Sequence, residues 1–523
     1  MLLKMINRKR KFLWGSAIGL FLAVGLLIMM VLSVATVAED EIEVYTMGDS
    51  TGDWGYPSPY THYVNGPGVI RMSFLFDTLI WKDAEGRVSA LAESWEMESD
   101  DVFLFNLQKN VTWHDGEPFN ADDVIFSVDY YKEHPYPLVD NRIVDHAEKV
   151  DDYTVRIYLS DPYAPFIDQV VGTLPILPEH IWKDVDDPTN FNEDEAMIGT
   201  GPYTLADYDR VQGTYQYKAY DDYYLGSPKV KEIRFVKIST PNAAAALMQG
   251  DVDAVEVLPE MIDRLGGFEI LTLPEQACVY KLTINHQKEP MSDKRFRQAL
   301  AYAIDKNKLI EIAARGYGLV GSPGFIPPDS DWYNPEMDGL YTHDLAKAEE
   351  LLEDMGYGGE TIELLIKGDA TINERIAELI KSDLESAGIN VDLKTMDHKT
   401  VDYKAKEWNF DLVLSYHGGL MGDPNYLAQL TTNWNHFYSA RYLENDELAD
   451  VLEEQVTEMD EDDRRDLIYR AQVLYAEDLP SLPLYYPSYF VAHNGRVDIY
   501  YTWNGITLGI PMALGNKLVF VGV

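Results

Sequence analysis

Residues 344–393 constrain the fold more tightly than any other stretch. Asp344 precedes Leu345, Ala348, Leu351, Leu352 and Met355, spaced as one face of a helix, and Gly356 closes it. Ile362, Leu364 and Ile366 then alternate as a strand. Helical spacing returns at Ile372, Ile376, Leu379, Ile380 and Leu384, ends at Gly388, and gives way to a second strand at Ile389, Val391 and Leu393. Two strands joined through a helix in one sheet must run parallel with a right-handed crossover. The class predicted is therefore α/β. Asp411 to Tyr416, with Leu412, Val413 and Leu414 at its centre, is expected as a buried strand of the same sheet.

Beyond Tyr416 that strand cannot continue. His417-Gly418-Gly419-Leu420-Met421-Gly422-Asp423-Pro424 is turn chemistry, rich in glycines free to take positive φ. A loop at the carboxyl end of a strand is where α/β folds hold ligands. An inert strand-to-helix connection is the other reading of the same residues.

A chain of 523 residues is too long for one core and predicts two or three domains. Its net charge of −44 argues against nucleic acid or anionic lipid as a non-specific partner, since both require a basic face. One cysteine, Cys278, excludes an intrachain disulfide framework and a cysteine-cluster metal site. At the N-terminus, Lys4, Arg8, Lys9, Arg10 and Lys11 precede an uncharged run from Phe12 to Ala38, with small residues near Ala35 and Ala38. This is the pattern of an export signal, and the run is also long enough to span a bilayer. Residues 1–38 are thus expected to be a cleaved signal or a membrane anchor. The remainder is expected outside the cytoplasm, in a periplasm or on the outer face of the cytoplasmic membrane.

Two motifs are set aside. Gly316-Tyr317-Gly318-Leu319-Val320-Gly321 matches GxGxxG, but a helix precedes it and prolines follow, so no nucleotide site is expected. His114 and Asp115 are adjacent in a turn beside Gly116, where neighbouring side chains diverge, and are read as structural. Asn120 is expected to cap a helix carrying Val124, Phe126 and Val128, and another helix is expected from about Asp463 to Ala476. Trp54, Tyr56, Tyr60 and His62 lie in a proline- and glycine-rich stretch. Its aromatics either stack on a ligand or plug a domain junction.

Several blocks occur together in a recognisable order. They are Leu91-Ala92-Glu93-Ser94-Trp95, Trp113-His114-Asp115-Gly116, Ala121-Asp122-Asp123-Val124, Gly199-Thr200-Gly201-Pro202-Tyr203 and Tyr223-Tyr224-Leu225-Gly226-Ser227-Pro228-Lys229. Arg297-Gln298-Ala299-Leu300-Ala301-Tyr302-Ala303-Ile304-Asp305, Ala346 to Leu352 and Leu479 to Tyr486 complete the series. In these the chain resembles the family 5 extracytoplasmic solute-binding proteins of ABC importers, the dipeptide, oligopeptide and nickel group.

The resemblance implies a periplasmic-binding-protein type II-like α/β fold, two lobes around a hinge plus an additional domain. Lobe I would comprise residues 39–66, 199–281 and 490–523, the additional domain 67–198, and lobe II 282–489. It implies a small solute captured by lobe closure and passed to ABC permease subunits, with no catalysis and no cofactor. The residues expected to face the ligand are Trp54, Tyr56, Tyr60, His417, Gly418, Gly419, Leu420, Asp423, Trp434 and Tyr438. Peptide-binding members carry an aspartate for the peptide ammonium three positions before the Asp/Glu-Pro pair. Here that position is Leu420, with Asp423 the nearest substitute. A peptide-like solute is the expectation. Alternatives are a nickel or metal chelate on His417, His436 and His62, or an oligosaccharide on Trp54, Tyr56, Trp434, Tyr438 and Trp503. A secreted hydrolase is a further class, although GxSxG, HExxH and Walker signatures are lacking.

Overall fold

The computed structural model describes residues 41–50, 52–63, 66–139, 141–273, 275–368, 371–418, 420–433, 441–442, 444–506, 510 and 515–522. Residues Ile42–Val523 cluster as one compact unit. The expected export segment, together with Gly419, Trp434, His436 and Tyr438, lies outside the described residues.

The parallel unit read from residues 362–393 is present. Ile362–Lys367 pairs in parallel with Val391–Met396 on one side and Leu412–Gly418 on the other. Thr371–Ser386 is the helix between the first two of these strands. Among the described residues this sheet has six strands, in the order Gly318–Val320, Ser481–Pro487, Cys278–Ile284, Leu412–Gly418, Ile362–Lys367 and Val391–Met396. Ser481–Pro487 has no counterpart among the strands read from sequence. Pro483 cannot donate to a ladder and so argues against an interior strand. The fold accommodates it at an irregularity, where the pairing with Cys278–Ile284 shifts between Tyr280 and Lys281.

A second sheet of seven strands runs Glu269–Leu273, Tyr489–His493, Ala254–Val257, Ile42–Asp49, Val230–Lys237, Thr214–Ala219 and Tyr203–Asp209. Residues 92–159 contribute a four-stranded antiparallel sheet ordered Ala92–Ser99, Val102–Leu107, Thr154–Leu159 and Val144–Asp151. One apolar core unites the seven- and four-stranded sheets, through Tyr45, Phe74, Phe105, Trp113 and Tyr217. The six-stranded sheet has separate cores on its two faces. Leu282, Leu300, Ile366 and Ile380 belong to one, and Val279, Phe325, Leu420, Ile468 and Tyr486 to the other. The chain passes between the six- and seven-stranded sheets at residues 273–278 and again at residues 487–489.

Helix ends follow the side-chain chemistry. Asn120 and Asp123 form a capping box at Ala121–Glu133, and Asp344 caps Leu345–Met355, which ends at a left-handed Gly356. The last long helix, Glu461–Asp478, begins before the stretch read from sequence because Asp460 accepts from the amides of Asp462 and Asp463, and it runs on to Asp478 before Leu479 turns left-handed. Gly199 and Gly201 are dictated by close approach. A Cβ on either would meet the Leu75 or Phe74 carbonyl oxygen at 1.9 or 2.5 Å. His114 staples this crossing, with one ring nitrogen 2.9 Å from the Gly201 carbonyl and the other accepting from the Gly199 amide at 3.2 Å. Its neighbour Asp115 meets His180 instead, at 2.7 Å. The pair is structural, and no dyad forms.

Candidate functional site

The glycine-rich loop leaves the carboxyl end of Leu412–Gly418. Gly418 lies opposite Cys278, and a Cβ there would come within 3.1 Å of the Cys278 sulfur. His417 is buried, with its ring 6.2 Å from Phe325 and nearly parallel to it, at 17°. Leu420 is buried in the same apolar cluster as Val279, Phe325 and Tyr426.

Asp423 is committed elsewhere. Arg464 donates one guanidinium nitrogen to each of its carboxylate oxygens at 2.7 Å, and both side chains are buried. Such a bidentate pair fixes geometry as well as charge. Asp423 also accepts from the Asn425 amide at 2.9 Å. It therefore holds the loop onto the helix Glu461–Asp478, and its oxygens are engaged rather than open to a ligand ammonium.

Asn425, which the sequence did not single out, reaches the four-stranded region. Its Nδ2 donates to Gln169 Oε1 at 3.1 Å and to the Tyr163 hydroxyl at 3.2 Å. Gln429 donates to the same Gln169 oxygen at 3.3 Å, and Gln455 to Asn425 Oδ1 at 3.0 Å. The Ala164 amide donates to the Val456 carbonyl at 2.8 Å nearby. A polar chain thus runs from Arg464 through Gln455 and Asn425 to Gln169.

The aromatic stretch divides in two. Tyr60 is buried within 6.2 Å of the rings of Tyr130, Tyr131, Tyr136 and Trp182, and its hydroxyl donates to the His134 carbonyl. His62 follows it inward. Its ring nitrogens sit 2.9 Å from the Tyr63 carbonyl and 3.1 Å from the Tyr136 hydroxyl, and burial lowers its pKa to about 4. Both nitrogens being engaged, His62 is built into the core rather than presented to a metal. Among the described residues no cluster of three or more metal-ligating side chains occurs.

Trp54 and Tyr56 stay accessible. The Trp54 indole donates to Asp49 at 2.7 Å, and Asp49 also takes the buried Arg71 guanidinium at 2.6 Å. Tyr56 packs edge-on against Tyr208 at 4.9 Å. Trp503 is half-buried, its amide donating to the Ala84 carbonyl at 3.2 Å. The GxGxxG stretch contributes instead to an edge. Gly318 and Gly321 let the backbone pass the Tyr486 and Pro483 carbonyls, which a Cβ would meet at 2.7 and 2.3 Å.

Three ionisable groups near these elements carry no sequence motif. Glu256, on Ala254–Val257, reaches water but is crowded enough that desolvation, with the Asp49 charge, raises its pKa to about 7. Cys278 is pushed up to about 12, mainly by burial. Lys281 is 1 % exposed, and burial lowers its pKa to about 7. A lysine within the apolar run Val279 to Ile284 was the one available signal for it.

Residues 87–439 match the family described as bacterial extracellular solute-binding proteins, family 5 Middle. The dipeptide-binding protein of Escherichia coli is 29% identical over 440 residues, covering 77% of this chain and 81% of that protein. Heme-binding protein A of Haemophilus influenzae is 30% identical over 451 residues, covering 79% and 81%. The crystal structure of the ABC transporter substrate-binding protein CtaP from Listeria monocytogenes superposes with a TM-score of 0.78 at 24% identity, covering 88% and 96%. The chain belongs to the family 5 bacterial extracellular solute-binding proteins, and it is an extracytoplasmic solute-binding component of the ABC-importer kind.

Proposed function

We propose that this chain captures a peptide-like solute between two lobes and delivers it to ABC permease subunits, without chemical turnover. Lobe I is assigned residues 39–66, 199–277 and 489–523, lobe II residues 278–487, and the additional domain residues 67–198, the boundaries read from sequence at 281 and 490 moving to the passages between the sheets. Two chain passages between the sheets support a hinge. The strands flanking them are ladder neighbours, Ser481–Pro487 beside Cys278–Ile284 and Tyr489–His493 beside Glu269–Leu273. Paired crossings of this kind permit rotation of one lobe on the other with little change elsewhere.

The observation that carries the proposal is the reach of the glycine-rich loop, through Asn425, to Gln169 and Tyr163. A solute lying against this loop favours the arrangement in which that contact is made, and differential affinity is all that closure requires. Gly418 on the loop, with Trp54 and Tyr56 on the first lobe, are the proposed ligand-facing residues, and Leu420 anchors the loop in the apolar cluster beneath it. His417 and Asp423 act as its frame. The peptide-like class is supported by the dipeptide-binding relative of Escherichia coli. Residues 1–38 are proposed to direct export and then to be cleaved or retained as an anchor.

Thermal melting with a panel of di- and tripeptides, paired with mass spectrometry of the same mixtures, tests this. Stabilisation by peptides that remain intact is expected. Cleavage of a bound peptide overturns the importer assignment. Stabilisation by a nickel–histidine chelate alone replaces the peptide class with a metal chelate.

A further inference from the structure

Two stretches of the described chain wind into π-helices, Phe166–Val171 on the additional domain and Gln429–Asn433 on lobe II. Wider turns of this kind are rare and gather at functional positions. Here the two meet, Gln429 Nε2 donating to Gln169 Oε1 at 3.3 Å. The same oxygen accepts from the Tyr163 hydroxyl at 3.0 Å and from Asn425 Nδ2 at 3.1 Å. A carbonyl oxygen has two lone pairs, so three donors saturate it and make Gln169 the keystone of the contact.

The direction of these bonds is set from the other end. Gln455 Oε1 accepts from Arg464 at 2.9 and 3.2 Å, so its amide nitrogen faces Asn425 and donates to Asn425 Oδ1 at 3.0 Å. That turns Asn425 Nδ2 toward Gln169 and Tyr163. Arg464 is itself held by Asp423 of the glycine-rich loop. The loop thus presents donors whose protein acceptors lie on the additional domain, and hydrogen bonds in series from a charged end polarise one another.

The contact is suited to parting. Gln169, Asn425 and Gln455 are buried, yet the bonds that cross between the domains are neutral ones, each of small net worth because water replaces it when the faces separate. One backbone bond joins them, from the Ala164 amide to the Val456 carbonyl at 2.8 Å. Among the described residues Met459 is the one lobe II side chain packed against the apolar core of the seven- and four-stranded sheets. Elements that share so little apolar contact open at low free energy. Charge draws them back. Arg87, half-exposed and bonded to Asp168 at 2.9 Å, lies in the field of Asp423 and Glu461 across the contact.

We infer that Tyr163, Ala164 and Gln169 of the additional domain, with Asn425, Gln429 and Gln455 of lobe II, form a reversible latch that sets how fast solute leaves. Solute bears on the loop, the loop orients Asn425, and Gln169 receives it. The additional domain takes part in closure without touching solute, and Gln169 is a positioning residue. This deepens the solute-capture assignment and rests on it.

Gln169→Leu removes the keystone acceptor from one face, and Gln429→Ala removes a donor from the other. Hydrogen exchange of the whole chain without solute, paired with stopped-flow dissociation of glycyl-leucine, tests the latch. In Gln169→Leu the Ala164 amide is expected to exchange about fivefold faster, the equivalent of one lost hydrogen bond, and in Gln429→Ala by a smaller factor. The Leu107 amide, bonded to the Tyr153 carbonyl at 2.8 Å within the additional domain, should exchange as before. Glycyl-leucine should leave Gln169→Leu about fivefold faster with its association rate unaltered. The double variant should match Gln169→Leu alone, because both substitutions break one contact. Unchanged exchange at Ala164, a matching rise at Leu107, or additive effects overturn the latch. Glycyl-leucine bound with an unaltered dissociation rate also overturns it, while solute capture stands. If exchange responds as expected and no glycyl-leucine binds, the latch stands and the peptide class is lost.

Discussion

Lys517, beneath the seven-stranded sheet, and Lys281, on the six-stranded one, each carry an ammonium group that water scarcely reaches, both residues being 1 % exposed. Around Lys517 every requirement of a buried cation is met. It pairs with the fully buried Asp77, donates to the Phe76 carbonyl at 3.1 Å and lies 4.4 Å over Trp81. Asp77 in turn accepts from Thr200 at 3.3 Å and Tyr223 at 3.4 Å. Around Lys281 there is an aromatic face, and among the described residues no carboxylate lies within 4.0 Å of its ammonium. A satisfied buried charge holds elements together, here the chain's C-terminal segment to residues 76–81. A buried charge with no carboxylate beside it is a standing cost to the folded protein.

The largest expected effect tests the satisfied member. Lys517→Met leaves Asp77 buried without its partner and should cost about 3–5 kcal/mol of stability in urea unfolding. A loss under about 1 kcal/mol would remove the contrast between the two lysines. Asp423→Asn probes a satisfied charge inside the glycine-rich loop. Breaking its bidentate pair with Arg464 should cost about 2–3 kcal/mol, so a fall in melting temperature must accompany any loss of binding. An unchanged melting temperature would return Asp423 to the ligand.

Lys281→Met should have the opposite sign, raising stability by about 1–2 kcal/mol at pH 7 in the absence of solute. The pH dependence follows from linkage. Lys281 in the folded chain titrates near 7 and in the unfolded chain near its ordinary 10.5, so between these values the unfolded state binds more protons. Wild-type stability therefore rises with pH across that window, and falls as pH drops toward 7. Lys306, also lowered to about 7 by burial, adds a second increment of the same sign. Removing Lys281 should reduce the slope of melting temperature between pH 7 and 9.5 without abolishing it. An identical slope would show that Lys281 is solvated in the folded protein. The smallest effect belongs to Asn425→Ala. It removes the bonds to Gln169 and Tyr163 and the acceptor for Gln455, and should cost about 1 kcal/mol, read as weaker solute binding with a small fall in melting temperature.

Much of the architecture was readable along the chain because it depends on near neighbours. Apolar spacing at Ile362, Ile376 and Val391 reports which face each element buries, and Asn120, Asp344 and Gly356 mark helix ends through contacts within four residues. The family blocks extended that legibility to the whole fold. Ser481–Pro487 escaped because a proline is a local signal against a strand, whereas its place depends on two distant partners.

The site divides along the same line. The glycine-rich loop announces itself by composition, and the departure at Leu420 is a single-residue fact. The fates of the other candidates depend on residues far off in the chain. Tyr60 meets Tyr130 and Trp182, Asp423 meets Arg464, and Lys281 meets Phe325. Whether a charged or aromatic side chain is structural or available depends on what satisfies it, and those partners are brought together only when the sheets stack. Local spacing settled the class of the fold, and through-space pairing separated the residues that hold it from those left open to solute.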